Sequence, residues 1–114
     1  MNQLKQWDIF HYPFSFPPGP HQIVLISNNE RCRSPHTLKI NGLLCVSVRD
    51  SRMPRANEIF LDEQDGFEHK TAVACDLFQL VEKARLGIYV GSVNIERRRK
   101  IGRLIAESLR LLTI

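Results

Sequence analysis

The chain has no apolar run near the roughly 18 residues a membrane span needs, no C-x-x-C pair and no H-x-x-x-H. The first absence argues against an integral membrane protein. The others leave Cys32, Cys45, Cys75 and the four histidines without metal-ligand spacing, so no metal is expected. Three cysteines cannot all pair within one chain, and two lie in strand-like apolar runs, which points to buried thiols in a reducing compartment. The opening MNQLKQWDIF lacks an apolar stretch followed by a small-residue cleavage site, so no signal peptide is expected and a cytoplasmic location is the default. Repeats, low-complexity tracts and linkers are missing as well. What remains is 114 residues, 43% apolar and 25% charged, enough for one small domain spanning residues 1–114.

The net charge of +4 is unevenly distributed. Residues 31–55 carry Arg31, Arg33, Lys39, Arg49, Arg52 and Arg55 against the single acid Asp50. Residues 58–68 reverse this, with Glu58, Asp62, Glu63, Asp65 and Glu68 and no Lys or Arg. Arginines return at 97–99, 103 and 110. A basic middle segment in and around loops is suited to gripping a phosphate backbone; the alternative is a solvated loop with scattered charge.

Periodicity predicts a mostly β chain. Trp7–Phe14 reads as a first strand stopped by Pro13, followed by a Pro/Gly connection, Ser15–Pro20. Ile23–Ser27 is a β-branched run for a strand buried on both faces, and Asn28–His36 reads as a polar loop. Gly42–Val48 predicts a third strand, with a second basic loop through Arg55, and Glu58–Leu61 a fourth. Asp65-Gly66 marks a turn. Thr71–Cys75 begins a fifth strand that Phe78–Val81 either extends or follows as a short bridge, and Ile88–Val90 is another candidate. Asn94 is a natural N-cap for a closing helix whose Ile101, Leu104, Ile105, Leu109 and Leu112 recur at spacings of three and four. Gly102 weakens that helix by about 1 kcal/mol relative to alanine unless it permits close packing. Short strands and one closing helix in so small a chain predict a half-open barrel with the helix packed on it.

The order of these pieces resembles the MazF/PemK (Kid-like) toxins of type II toxin–antitoxin systems. Trp7-Asp8-Ile9 matches the Gly-Asp-Ile/Val start of their first strand, with Trp for Gly. IVLIS matches their second strand, but His21-Gln22 stands where they open it with Arg-Pro. Ser47 occupies the Thr/Ser position near the end of the third strand, and Cys75-Asp76 matches the pair closing the fifth. The residue two before that Asp, Arg in the Kid-like branch, is Ala74.

The resemblance implies an SH3-like barrel of the CcdB/MazF type, a homodimer, a cognate antitoxin, and metal- and cofactor-independent cleavage of single-stranded RNA such as mRNA. Attack by the 2′-hydroxyl on the neighbouring phosphate needs a proton acceptor, a proton donor to the leaving oxygen, and donors or positive charge on the phosphorane. His21 fits as acid or base, or as an imidazolium holding phosphate. Ser47 fits as the hydroxyl that bonds phosphate or places the 2′-hydroxyl, and Asp76 as a positioning acceptor or base. Arg31, Arg33, Arg49, Arg52 and Arg55 are the RNA-binding candidates, with two basic loops flanking the Ser47 strand as the walls of one groove. Phe14 and Phe16 are candidates for base stacking, whereas Trp7 and Tyr12 are expected in the core. Two other functions stay open: a catalytically decayed module that binds nucleic acid or antitoxin, favoured by the His21-Gln22 replacement, and a gyrase poison, disfavoured because the helix ends Arg-Leu-Leu-Thr-Ile without a Trp-Gly-Ile-like terminus.

Overall fold

The structure, a computed structural model, describes residues 3–15 and 19–111. Phe16 and Leu112, named above for stacking and for the apolar stripe, lie outside the described residues. The described residues form the strands β1 (Asp8–Tyr12), β2 (His21–Leu25), β3 (Lys39–Ser47), β4 (Glu58–Leu61), β5 (Thr71–Glu82) and β6 (Tyr89–Ser92). They make one curled sheet in the order β4-β5-β3-β2-β1-β6, each neighbouring pair antiparallel, with β4 and β6 at the open edges. This is the expected half-open barrel, closed by a C-terminal helix.

Alternation of side chains divides the sheet into two buried layers. Ile9, Val24, Leu43, Cys45, Val73 and Cys75 face one way and pack with Ile101 of the closing helix α2 (Ile95–Leu109). Tyr12, Ile23, Leu25, Ile40 and Val81 face the other way and enclose Cys32. That cysteine belongs to α1 (Asn29–Arg33), a short helix inside the segment read as a loop. Asn28 caps it by accepting a hydrogen bond from Arg31 N at 2.8 Å. Only Cys32 of its five residues is buried, so the apolar periodicity that announces longer helices is missing. All three cysteines are free and buried.

β5 is one continuous strand rather than a strand and a bridge. The two-residue step from Leu43 to Cys45 on β3 is matched by the five-residue step from Val73 to Phe78 on β5. The resulting bulge carries Ala74, Cys75, Asp76 and Leu77; it interrupts the alternation on which the sequence reading relied and bends the strand. Below it β5 pairs with both β3 and β4.

The closing helix is seated by charge as much as by apolar contact. Asn94 caps it through Glu96 N at 3.0 Å. Arg97 in its first turn grips Asp62 with two bonds, 2.8 and 3.0 Å, and also donates to Asp65. Asp65 is 1% exposed and further accepts from Asp62 N at 3.0 Å and Asn94 N at 2.7 Å. The turn can press this close to β6 because Gly66 and Gly91 meet there: a Cβ on Gly91 would collide with the Asp65 carbonyl, and one on Gly66 with the Val90 carbonyl. Gly66, at φ +103°, also needs the conformation glycine adopts freely. Along the helix Ile101 is buried and Leu104 and Ile105 are half-buried, but Leu109 is 46% exposed, so the predicted stripe meets the sheet only in its first part. A Cβ at Gly102 would meet nothing within 4 Å, so this glycine weakens the helix without any packing return.

Trp7 stands in the left-handed region, φ +79°, which explains why glycine suits that position in the family it resembles. A conformation costing roughly 1–2 kcal/mol is held by bonds from Trp7 N to Leu25 O at 2.7 Å and from Val93 N to Trp7 O at 3.0 Å.

Candidate active site

β2 and β3 run antiparallel with Ile23 opposite Leu44, so the register leads to His21 at the start of β2 and Val46-Ser47 at the end of β3. The two catalytic candidates therefore sit on adjoining strand ends at one rim of the sheet. Alternation aims them differently: His21 leaves on the side of Ile23 and Leu25, Ser47 on the side of Leu43 and Cys45. No hydrogen bond joins them among the described residues. The His21 imidazole is half-buried, with Nδ1 3.0 Å from Gly19 O. If Nδ1 carries the proton in this contact, Nε2 is left as the acceptor. Ser47 is exposed, and its strand partner is the buried Thr71.

Asp76 lies on the β5 bulge, exposed, and accepts a 2.6 Å hydrogen bond from Asn57 Nδ2. Asn57 also accepts Cys75 N through its carbonyl at 2.8 Å, which fixes the bulge against the residue preceding β4. The neighbouring Cys75 thiol is pushed up to about 12 by burial, so it is no thiolate nucleophile at neutral pH.

The arginine candidates separate into two groups. Arg49, Arg52 and Arg55 lie in the loop that leaves the Ser47 end of β3 and folds back on the β4–β5 pair, where Arg52 and Arg55 meet Glu58. Arg31 and Arg33 lie on α1, which follows the far end of β2; there Lys83 Nζ closes α1 by donating to Arg31 O at 2.6 Å and Ser34 O at 2.9 Å. The nine residues of β3 put about 27 Å of strand path between the two basic loops. They do not wall one groove, because they sit at opposite ends of the strand they were expected to flank.

Within the rim group the charges are unequal. Arg52 forms a two-bond pair with Glu58, 2.7 and 3.2 Å, and lies over the Phe60 ring at 5.4 Å, with Lys70 5.5 Å from the same ring. The Arg52 guanidinium holds the Glu58 carboxyl below its ordinary value. Arg55 donates its backbone N–H to Glu58 but its side chain is 72% exposed and only 3.8 Å from that carboxylate. Arg49 is exposed. Arg49 and Arg55 are thus the cations of this loop turned to solvent, while Arg52 fastens the loop to β4. Nothing in the sequence marks Glu58, Asn57 or Phe60 as part of this neighbourhood; they meet the loop only because it folds back on the β4–β5 pair. Phe14 packs edge-on against Tyr12 at 4.7 Å and extends the second buried layer rather than offering a free face.

The strand ends thus carry an imidazole and a hydroxyl on opposite faces of the sheet with the exposed Arg49 two residues beyond Ser47, while Asp76 lies on the bulge and Arg55 beside Glu58. Each is a kind of group that phosphodiester transfer uses. Among the described residues no group of three or more His, Cys, Asp or Glu is placed to hold a metal ion, and no helix is long and apolar enough to cross a membrane.

No protein-family model matches the chain, and no curated protein matches it. Solved structures do match, and the fold they define is that of MazF-type toxin endoribonucleases. One is an endoribonuclease in complex with its cognate antitoxin from a mycobacterial species, with TM-score 0.78, 21% identity and full coverage of both chains. A second mycobacterial endoribonuclease gives 0.76 at 22% identity over 100% of this chain and 98% of that one. The Mycobacterium tuberculosis toxin MazF-mt6 gives 0.75 at 15% identity over 93% and 99%. At these identities the likeness is one of fold.

Proposed function

We propose that this chain is the toxin of a type II toxin–antitoxin system, a cytoplasmic, metal-independent endoribonuclease that cuts single-stranded RNA, mRNA included, at the His21–Ser47 rim. The observation that carries the reading is the end-to-end fold likeness to endoribonucleases, one of them bound to its antitoxin, together with an imidazole and a hydroxyl on adjoining strand ends. In this mechanism the RNA backbone crosses the rim. His21 takes the 2′-hydroxyl proton as that oxygen attacks phosphorus. The 5′-oxygen then leaves, taking a proton from water, which gives a 2′,3′-cyclic phosphate and a free 5′-hydroxyl. Arg49, two residues beyond Ser47, balances the phosphorane charge. Ser47, on the other face of the sheet, and Arg55, beside Glu58, hold the RNA backbone on either side of the cut, and Asp76 with Asn57 keeps the bulge in place. Arg52 contributes by holding the loop, and Arg31 and Arg33 contact RNA only where a strand continues to the far end of the sheet.

A homodimer and an antitoxin belong to the same reading. The exposed Leu109 and Leu111, with Ala106 beside a shallow groove of about 240 Å³ at the end of α2, supply apolar surface for a second copy. An acidic antitoxin segment suits the rim cations.

The test is incubation of purified protein with mixed RNA in EDTA, followed by end mapping. Cleavage to cyclic-phosphate ends is expected, abolished when the 2′-hydroxyl is replaced by hydrogen, and slowed about 100-fold or more in His21→Ala at unchanged urea midpoint. Intact RNA from folded protein would overturn the enzyme and leave the binding module, the reading favoured by histidine at the family's arginine position.

A further inference from the structure

At the end of the sheet away from His21, the segment ahead of β1 lies beside the edge strand β6 and leaves two adjoining clefts of about 750 and 410 Å³. Both are walled by Lys5, Asp8 and Tyr89. Either is large enough for a small organic ligand.

Their walls carry three different kinds of recognition. Tyr89 is 52% exposed, lines both clefts, and its ring packs in a T-shaped pair with Phe10 at 5.5 Å and 68°. Arg98, from the first turns of α2, is anchored by Nε to Val93 O at 2.7 Å and by Nη2 to Ser92 Oγ at 3.1 Å. Neither Arg98 nor Lys5 has a carboxylate within ion-pair distance among the described residues. Asp8 is 8% exposed, and its Oδ2 accepts Lys5 N at 3.0 Å. Its Oδ1 has no partner among the described residues, and no fully buried side-chain oxygen there lacks one, so Oδ1 opens to the cleft. Burial raises the Asp8 carboxyl against the opposing pull of Lys5 and Arg98, as expected of an acceptor kept out of bulk water.

We propose that this double cleft is a nucleotide-binding site separate from the rim, taking a base with an exocyclic amine. The base stacks on Tyr89, the amine donates to Asp8 Oδ1, and the phosphate lies between Lys5 and Arg98. Phosphate alone does not account for the site, since it would meet a carboxylate and an aromatic plane. A base with a carbonyl in place of the amine would oppose its oxygen to that of Asp8. The same chemistry arises from a free nucleotide or from one residue of an RNA strand.

Cytidine and uridine monophosphates differ only at ring positions 3 and 4, where cytosine sets an acceptor nitrogen beside the amine and uracil an N–H beside the carbonyl, and neither contains an internucleotide bond, so the test reads independently of any cleavage at the rim. Titration of isotope-labelled protein, followed through the backbone amides of Asp8, Tyr89 and Ser92, is expected to show cytidine monophosphate binding about tenfold tighter than the uridine form. Inorganic phosphate should leave the Tyr89 amide unmoved. Tyr89→Ala should weaken cytidine monophosphate about tenfold, Tyr89→Phe should not, and Asp8→Asn should abolish the preference for cytidine while the Asn carbonyl still accepts Lys5 N. A short 2′-deoxy oligonucleotide that binds tighter and moves both the Tyr89 and His21 amides assigns the cleft to a strand. Equal affinity with shifts confined to the cleft assigns it to free nucleotide, and either supports the site. Equal binding of both nucleotides and phosphate, or shifts only at the rim, overturns it.

Discussion

Arg97 faces two carboxylates, Asp62 and Asp65, whereas Glu58 faces two guanidiniums, those of Arg52 and Arg55. The chemistry of the two clusters is the same and their stoichiometry is reversed. In the first, every charge is committed and one carboxylate is almost sealed, so the cluster fastens a helix to a turn. In the second, one arginine satisfies the acid and the other remains turned to water. A basic segment is thus not uniformly available to a polyanion; it divides into cations that hold the fold and cations that face outward.

The largest expected effect lies in the committed cluster. Asp65→Ala leaves the Asp62 and Asn94 amides unpaired and strips Arg97 of a buried partner. It should cost about 3–5 kcal/mol, read as a fall in the urea midpoint, and a near-neutral result would break the contrast. Acid comes next. Asp62 and Glu58 are held below their ordinary 3.8 and 4.5 by Arg97 and Arg52 respectively. The native state then binds fewer protons than the unfolded one, so their stabilisation is intact above about pH 4.5 and lost as pH falls through the native values. Asp8 is shifted the other way by burial and partly masks this, so Asp8→Asn should steepen the acid decline and Asp62→Asn should flatten it. Smallest is the sharpening experiment on the second cluster. Arg55→Ala should lower the salt slope of 2′-deoxy oligonucleotide binding by about 0.7 at constant stability, while Arg52→Ala should lower the urea midpoint. Exchange of those two outcomes would show that the outward arginine had been misassigned.

Much of the fold was legible because it rests on local rules. Glu58–Leu61 forms a strand over the predicted residues, and Asn94 caps the helix as its side chain allows. α1 was not, since one buried cysteine in five residues leaves no period to detect, and the course of β5 past Cys75 stayed open between an extension and a short bridge because its bulge interrupts the alternation. The candidate site was legible only through resemblance. His21 and Ser47 are separated along the chain and become neighbours through the β2–β3 register, a property of pairing rather than of either segment. Arg52 and Glu58 give no periodic sign of their meeting, and the separation of the two basic loops follows from the length of β3.

The strained residue ahead of β1 is also the only tryptophan in the chain. Its indole packs beside the main core, lines the smaller of the two clefts, and its carbonyl receives the amide of the residue that precedes the helix cap. One chromophore at that seam makes ultraviolet emission a built-in optical gauge. Detachment of the helix, or a solute arriving next door, alters the polarity around the same ring, and both can be followed in unlabelled protein.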